Sequence, residues 1–151
     1  MGNKQAMLSF AVEQLGHLGY VSAVSSYYLT EPWGYQSENL FLNQGVSLET
    51  DLEPHTLLKS LQQIEKEVGR LPATSSHYID RPLDIDLLFY DERIISDDLL
   101  TLPHPKLHLR QFVLVPLIEI APLLLHPLLH QTMEQLISIC PDTTTVIRQP
   151  I

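Results

Sequence analysis

Apolar positions at helical spacing mark two helices in the first half of the chain. We predict the first from Asn3 to Leu18, with Asn3 as its cap and Gly19 as its end. The second is predicted to begin at Pro54, because the missing N–H of proline costs nothing in the first helical turn. Its expected buried stripe consists of Leu57, Leu58, Leu61, Ile64 and Val68.

Between these helices, β-prone residues form two runs. Residues 20–30 are rich in Val, Ser and Tyr and predict one strand, and residues 40–50 predict another. Residues 31–38 contain Pro and Gly and are predicted to be a loop, so we expect the two strands to pair antiparallel. A turn at Asp91-Glu92 leads into a short predicted strand over residues 93–95.

The segment from Arg81 to Phe89 alternates apolar residues with two aspartates and predicts a further strand. On a strand, Asp84 and Asp86 would share one face, separated by roughly 6.5 Å of backbone rise. Paired carboxylates on a mostly apolar strand repel each other unless a cation neutralises them, and their hard oxygens suit Mg²⁺. The favoured interpretation is metal-assisted phosphate chemistry, and the alternative is an edge strand with a solvated polar face.

The second half of the chain ends in a Pro-rich segment with helices predicted around residues 111–120 and 131–139, after a polar stretch over residues 71–80. The order is helix, strand, strand, helix, strand. One strand in front would complete the βαββαβ pattern of a ferredoxin-like sandwich. We therefore predict a single α+β domain over residues 1–151, ferredoxin-like with its first strand missing, and an appended C-terminal helical segment.

Composition narrows the classes of function. The 151 residues carry a net charge of −9, which argues against nucleic-acid partners but leaves room for a small phosphorylated ligand in a local basic pocket. Cys140 is the only cysteine, which favours a reducing compartment. No apolar run approaches the roughly 20 residues of a membrane span, and the first residues are too polar for a signal peptide. We expect a cytoplasmic protein without membrane partners.

Several spaced motifs resemble the 6-hydroxymethyl-7,8-dihydropterin pyrophosphokinase family, to about His126. The main ones are Arg81 with Asp84-Ile85-Asp86, Leu102-Pro103-His104-Pro105, and Arg110-Gln111-Phe112; supporting stretches are residues 25–34, 41–43, 64–70 and 116–122. The resemblance implies an enzyme of folate biosynthesis that transfers diphosphate from ATP to the pterin alcohol and releases AMP. Small molecules would be its substrates, and the product would pass to dihydropteroate synthase.

The resemblance also implies roles for individual residues. Asp84 and Asp86 would hold two Mg²⁺ ions, and Arg70 and Arg81 would complete the catalytic set. The implied ATP-binding residues are Gln62, Glu65, Arg81, Thr101, His104 and Arg110. The implied pterin-binding residues are Thr30, Pro32, Trp33, Phe41, Asn43 and Phe112. Phe41 and Phe112 would stack on the flat pterin, and Asn43 would bind its amide-like edge.

The sequence departs from the family pattern in three places. The family begins with a strand that ends in Gly-Ser-Asn, whereas this sequence starts at the end of that motif, so we expect the natural start to lie upstream. Pro72 stands where many members have a loop arginine. Tyr78 and Pro105 stand where Trp and Tyr are common.

Other interpretations stay open on sequence grounds. The chain could be a non-catalytic pterin- or nucleotide-binding remnant, or another transferase with two aspartates and Mg²⁺. Phe41 and Phe112 could be core aromatics, and His104 a surface histidine. The spacing of His126 and His130 resembles a zinc motif, but no cysteine or carboxylate cluster completes it.

Overall fold

The computed structural model describes residues 2–30, 41–70 and 83–149. The residues divide into two compact units. Unit 1 comprises Met1–Ser22 and Leu48–Leu87, and unit 2 comprises Ala23–Ser47 and Leu88–Ile151. A single domain stays a prediction. The predicted loop over residues 31–38 and the polar stretch over residues 71–80 lie outside the described residues, as do Pro32, Trp33, Pro72, Tyr78 and Arg81.

Unit 1 contains two helices that pack together, α1 (Gly2–Leu15) and α2 (Pro54–Gly69). Helix α2 begins at Pro54 as predicted, and Leu58 is half-buried while the other four stripe residues are buried. Helix α1 ends before the predicted boundary at Leu18, because residues 16–18 form a turn. Asn3 lies inside α1, so the prediction that it caps the helix is wrong.

Each of the two long predicted strands is divided in the structure. The first becomes β1 (Tyr20–Val24) and β2 (Tyr27–Thr30), and the second becomes β3 (Phe41–Asn43) and β4 (Val46–Glu49). Strand β1 pairs with β4, and β2 pairs antiparallel with β3, as expected. The two breaks lie against each other: the Ser25 N–H donates to the Gly45 carbonyl at 2.9 Å, and the Gly45 N–H donates to Ser25 Oγ at 2.8 Å.

Unit 2 contains the remaining elements. The short strand predicted over residues 93–95 lies later in the chain, as β5 (Ile95–Ser96), and pairs antiparallel with β6 (Thr101–Leu102). A 3₁₀ turn (Leu107–Leu109) follows. Helix α3 (Gln111–Ile120) has the predicted bounds, and α4 (Met133–Ser138) is shorter than predicted. Strand β7 (Val146–Gln149), which was not predicted, pairs antiparallel with β2 on the edge opposite β3. The core of unit 2 consists of Leu107, Leu114, Leu117, Met133 and Leu136.

The chain thus combines helices with small sheets, and the pairings of β2 with β3, β2 with β7, and β5 with β6 are antiparallel. The ferredoxin-like arrangement and the missing first strand stay predictions. In the described part of the chain, every helix is too short or too polar to span a bilayer.

Candidate functional site

The segment that carries the two aspartates does not form the predicted strand: residues 83–90 have no strand assignment. The physical reason is the partner of its backbone, since the Ile85 N–H donates to Oε2 of Glu65, on α2, at 2.6 Å and not to a neighbouring strand. Exposure nevertheless alternates. Asp84 and Asp86 are exposed, whereas the apolar residues between and beside them are half-buried. The predicted alternation is therefore present without a sheet.

An open cavity of about 360 Å³ lies beside Asp84 in unit 1. Helix α2 supplies three lining residues, Gln62, Glu65 and Lys66, whose spacing of three and four positions places them on one helix face. Leu83 and Asp84 complete the lining. Three predicted site residues, Gln62, Glu65 and Asp84, are thus brought together.

Lys66 is a candidate functional residue that sequence reasoning missed. It lines the same cavity and brings an ammonium group among carboxylates, where a phosphate would be drawn to it. The signal that could have found it is its position four residues after Gln62 on a helix. Arg70 is exposed and follows the last residue of α2, four positions beyond Lys66.

Three of the predicted pterin-binding residues meet on the paired strands β2 and β3 of unit 2. Thr30 lies opposite Phe41 in the register, and Nδ2 of Asn43 donates to the buried Oγ1 of Thr30 at 3.3 Å. The Phe41 side chain is 52% exposed. Such exposure contradicts a core role for this ring and leaves its surface available for stacking.

The other predicted aromatic, Phe112, lies in the first turn of α3. The guanidinium carbon of Arg110 lies 5.5 Å from the centre of the Phe112 ring, within the range of a cation–π contact. Asp142 holds this end of the helix: its Oδ2 accepts from the Gln111 N–H and its carbonyl accepts from the Gln111 side-chain amide, both at 3.0 Å. Arg110 and Phe112 are therefore presented together by a fixed helix start.

Thr101 and His104, two further predicted ATP-binding residues, lie on and just after β6. The Thr101 side chain is exposed and that of His104 is half-buried. The His104 N–H donates to the Leu88 carbonyl at 2.9 Å, and its Nδ1 accepts from the Lys106 N–H at 3.2 Å. Because Nδ1 accepts, the ring proton of neutral His104 lies on Nε2.

A second histidine, His126, is buried and holds the backbone of a neighbouring turn. It is only 4% exposed, and its Nδ1 accepts from the backbone N–H groups of Leu128 and Leu129 at 3.2 and 3.0 Å. Burial, together with the nearby charges of His108 and His130, lowers the pKa of His126. Among the described residues, no three histidines, cysteines or carboxylates cluster as a metal site.

A network around Glu119 ties α3 to β2 in unit 2. The Glu119 Oε2 accepts from the Ser26 N–H at 2.7 Å and from the Ser26 hydroxyl at 3.3 Å, and its Oε1 accepts from the Tyr28 hydroxyl at 2.5 Å. Nε of Arg148, on β7, donates to Ser26 Oγ at 3.0 Å. Burial alone would raise the pKa of Glu119, but the hydrogen bonds from Tyr28 and Ser26 outweigh it and lower that pKa. Burial and the Glu119 carboxylate raise the pKa of Tyr28.

Unit 1 thus has a cavity lined by Glu65, Lys66 and Asp84, and unit 2 has the exposed Phe41 ring; each is a feature found in small-molecule sites. Residues 1–122 match the family model described as 7,8-dihydro-6-hydroxymethylpterin-pyrophosphokinase. The chain therefore belongs to the 7,8-dihydro-6-hydroxymethylpterin-pyrophosphokinase family.

Similar curated proteins include two named 2-amino-4-hydroxy-6-hydroxymethyldihydropteridine pyrophosphokinase. The one from Porphyromonas gingivalis is 40% identical over 131 residues, which cover 84% of this chain and 88% of the relative. The one from Methylorubrum extorquens is 43% identical over 124 residues, or 81% of this chain and 77% of the relative. The folic acid synthesis protein FOL1 of Dictyostelium discoideum is 36% identical over 132 residues, which cover 87% of this chain and 20% of that longer protein.

Proposed function

We propose that the chain transfers a diphosphate group from ATP to the hydroxymethyl oxygen of 6-hydroxymethyl-7,8-dihydropterin. The new bond joins that oxygen to the β-phosphorus, the bond from the β-phosphorus to the bridging α–β oxygen breaks, and AMP leaves with that oxygen. The hydroxyl proton is released. Family membership over residues 1–122 carries the proposal, together with the cavity beside the exposed Asp84 and the exposed Asp86 two residues further on.

Asp84 and Asp86 suit Mg²⁺ by their chemistry. Both are exposed carboxylates two residues apart on a segment whose other side chains are half-buried, so hard oxygen donors face outward together. When bound, Mg²⁺ would neutralise phosphate charge and orient the transferred group. The two carboxylates would hold it, and phosphate oxygens and water would supply the remaining ligands. Two ions are proposed on the resemblance.

Cationic side chains would neutralise the phosphate oxygens that the carboxylates cannot approach without repulsion. Arg70, Arg81 and Arg110 are proposed for this task, because the planar guanidinium donates two parallel hydrogen bonds to a phosphate. We add Lys66, which lines the cavity with Gln62 and Glu65. The half-buried His104, whose Nε2 carries the proton, would donate one more hydrogen bond, and Thr101 would contact the nucleotide.

The pterin is proposed to lie between aromatic rings in unit 2. Phe41 supplies an exposed face, and Phe112 supplies a half-buried ring held beside Arg110. Asn43 is already oriented by its bond to Thr30, so its remaining donor and acceptor can bind the amide-like edge of the pterin. Pro32 and Trp33 are proposed as neighbouring contacts.

The proposed product is a pterin diphosphate, which we propose is consumed by dihydropteroate synthase. The name of the Dictyostelium relative, a folic acid synthesis protein of which this chain matches 20%, supports a place in that pathway. A cytoplasmic location stays a prediction.

The test is AMP formation by the purified chain with ATP, MgCl₂ and 6-hydroxymethyl-7,8-dihydropterin. We expect AMP and the pterin diphosphate in equal amounts. Asp84→Asn and Asp86→Asn should each reduce turnover by at least about a hundredfold, because each removes charge that holds the metal. Asp98→Asn, at an exposed carboxylate in the hairpin between β5 and β6, is the matched control and should keep normal activity.

Other products identify the alternatives. Release of ADP or pyrophosphate without AMP would indicate a different phosphoryl or nucleotidyl transferase. Calorimetric binding of pterin and a non-hydrolysable ATP analogue, with no turnover of ATP, would indicate a binding protein without catalysis. Normal activity of either aspartate variant would show that the metal assignment is wrong.

A further inference from the structure

The Glu119 carboxylate accepts hydrogen bonds that the proposed chemistry does not use, although the residue as a whole is exposed. It accepts three hydrogen bonds, two from Ser26 and one from Tyr28. Ser26 lies at the break between β1 and β2, where its N–H has a side-chain partner in place of a strand partner. One side chain thus joins the last turn of α3 to the start of β2.

We propose that Glu119 is a positioning residue for the pterin: it fixes the strand that carries Thr30 relative to the helix that carries Phe112. The inference rests on the proposed function, which places both residues against this substrate. Glu119 itself would not contact the pterin, and its effect would be transmitted through β2 and α3.

The two ends of α3 are held independently. At its start, Asp142 accepts from both the backbone and the side chain of Gln111. In its last turn, Glu119 binds β2. Residues after Asp142 lead into β7, which pairs with β2 through the register Tyr28 with Arg148. Removing Glu119 would therefore release one end of the helix and leave the start of α3 attached.

This asymmetry predicts a substrate-specific effect. The hydrogen bonds of Glu119 connect β2 to α3, and the proposed pterin contacts are divided between these two parts. Thr30, Phe41 and Asn43 are on β2 and β3, and Phe112 is on α3. None of the proposed ATP contacts lies on β2 or β3, and Arg110 precedes the end of α3 that Asp142 holds. Loss of the hydrogen bonds between Glu119 and β2 should therefore weaken pterin binding more than ATP binding.

The approach of the β3–β4 turn to α3 leaves little tolerance for such movement. A Cβ added at Gly45 would lie 3.2 Å from Cβ of Pro116, in the middle of α3, so backbone and helix are already in close contact there. Gly45 is itself bonded to Ser25, the neighbour of Ser26. A change in the spacing between Ser26 and α3 would consequently shift β3, which carries Phe41 and Asn43.

The experiment compares Glu119→Ala and Glu119→Gln with the wild-type chain. It measures KM for each substrate from AMP formation, and the Kd of the pterin by calorimetry, which requires no turnover. Glu119→Ala should raise KM and Kd for the pterin by about tenfold or more and change KM for ATP by less than about twofold. Glu119→Gln keeps one acceptor oxygen and should recover most of the loss. Glu92→Ala, at an exposed turn carboxylate of the same unit, should match the wild type.

If Glu119→Ala does not fold, Tyr28→Phe tests the positioning role of Glu119. It removes a single donor to Glu119 and should raise KM for the pterin a few-fold while KM for ATP stays unchanged. An equal rise in both KM values, an unchanged KM for the pterin, or equal losses in the Gln and Ala variants would overturn the inference. Wild-type protein that binds pterin but forms no AMP would instead refute the proposed function, and the Kd comparison would still test Glu119.

Discussion

Protonation of His126 is expected to destabilise the protein below about pH 6.5. Its pKa is lowered, first by burial and then by the charges of His108 and His130, from an ordinary value of 6.5. The unfolded chain therefore binds this proton more readily than the folded one. The stability that neutral His126 contributes is fully present above its folded pKa and its unfolded pKa, and it is lost as the pH falls through the unfolded value.

Two independent arguments give a similar size for this loss of stability. One proton changes the free energy of unfolding by at most about 1.36 kcal/mol per pH unit, so the loss between pH 6.5 and 5.0 is at most about 2 kcal/mol. A protonated Nδ1 can no longer accept from Leu128 and Leu129, and two such hydrogen bonds contribute about 1–3 kcal/mol together.

The assay is urea denaturation at pH 7.5 and 5.0, followed by circular dichroism. His126→Asn provides an acceptor oxygen that does not titrate in this range, so the wild type should lose up to about 2 kcal/mol more than this variant over the interval. His17→Asn, at an exposed histidine in the turn after α1, should behave like the wild type. Equal losses in the wild type and His126→Asn would refute the reasoning.

Three further substitutions should change the free energy of unfolding measured by urea denaturation. Leu114→Ala empties a fully buried position (0% exposed) and should cost about 2–5 kcal/mol, whereas Leu123→Ala, at a 73% exposed position, should cost less than about 0.5 kcal/mol. Gly19→Ala would press its Cβ against the backbone oxygen of Glu49 and should cost about 1–3 kcal/mol. Thr132→Ala removes the capping box of α4 and should cost about 0.5–2 kcal/mol. A loss from Leu123→Ala as large as that from Leu114→Ala, or unchanged stability in either of the other variants, would contradict these assignments.

The helices that sequence reasoning located best are those whose signals are local. Pro54 marks the start of α2, and the buried stripe of that helix follows its periodicity. Helix α3 has its predicted bounds for the same reason. Strand β7 was missed because the Pro-rich character of the C-terminal segment outweighed a run of threonines and β-branched residues at 143–147, which was the available signal.

In the candidate site, too, features with a local sequence signal were predicted and features set by tertiary packing were not. Alternation predicted that Asp84 and Asp86 would share one face of a strand; the strand is absent, but both residues are exposed between half-buried apolar neighbours, a pattern that depends only on adjacent residues. The family resemblance implied that Gln62 and Glu65 belong to the site, and both line the cavity beside Asp84. The place of Lys66 in that lining depends on how the 83–87 segment lies along α2. That placement is a tertiary property, and no local pattern in the sequence encodes it.

The wrong strand at Asp84 and the unforeseen break at Ser26 have one physical origin. In both, a helical glutamate accepts a backbone N–H that the strand prediction had assigned to a neighbouring strand: Glu65 binds Ile85 and Glu119 binds Ser26. An apolar–polar alternation is the same whether the backbone partner is a strand or a carboxylate, so it cannot separate the two cases. A charged acceptor makes a stronger bond than a carbonyl, and it fixes a single N–H without continuing a ladder. At Ile85 and at Ser26, therefore, a helical carboxylate binds the backbone N–H in place of a neighbouring strand, although β2 itself stays paired with β3 and β7.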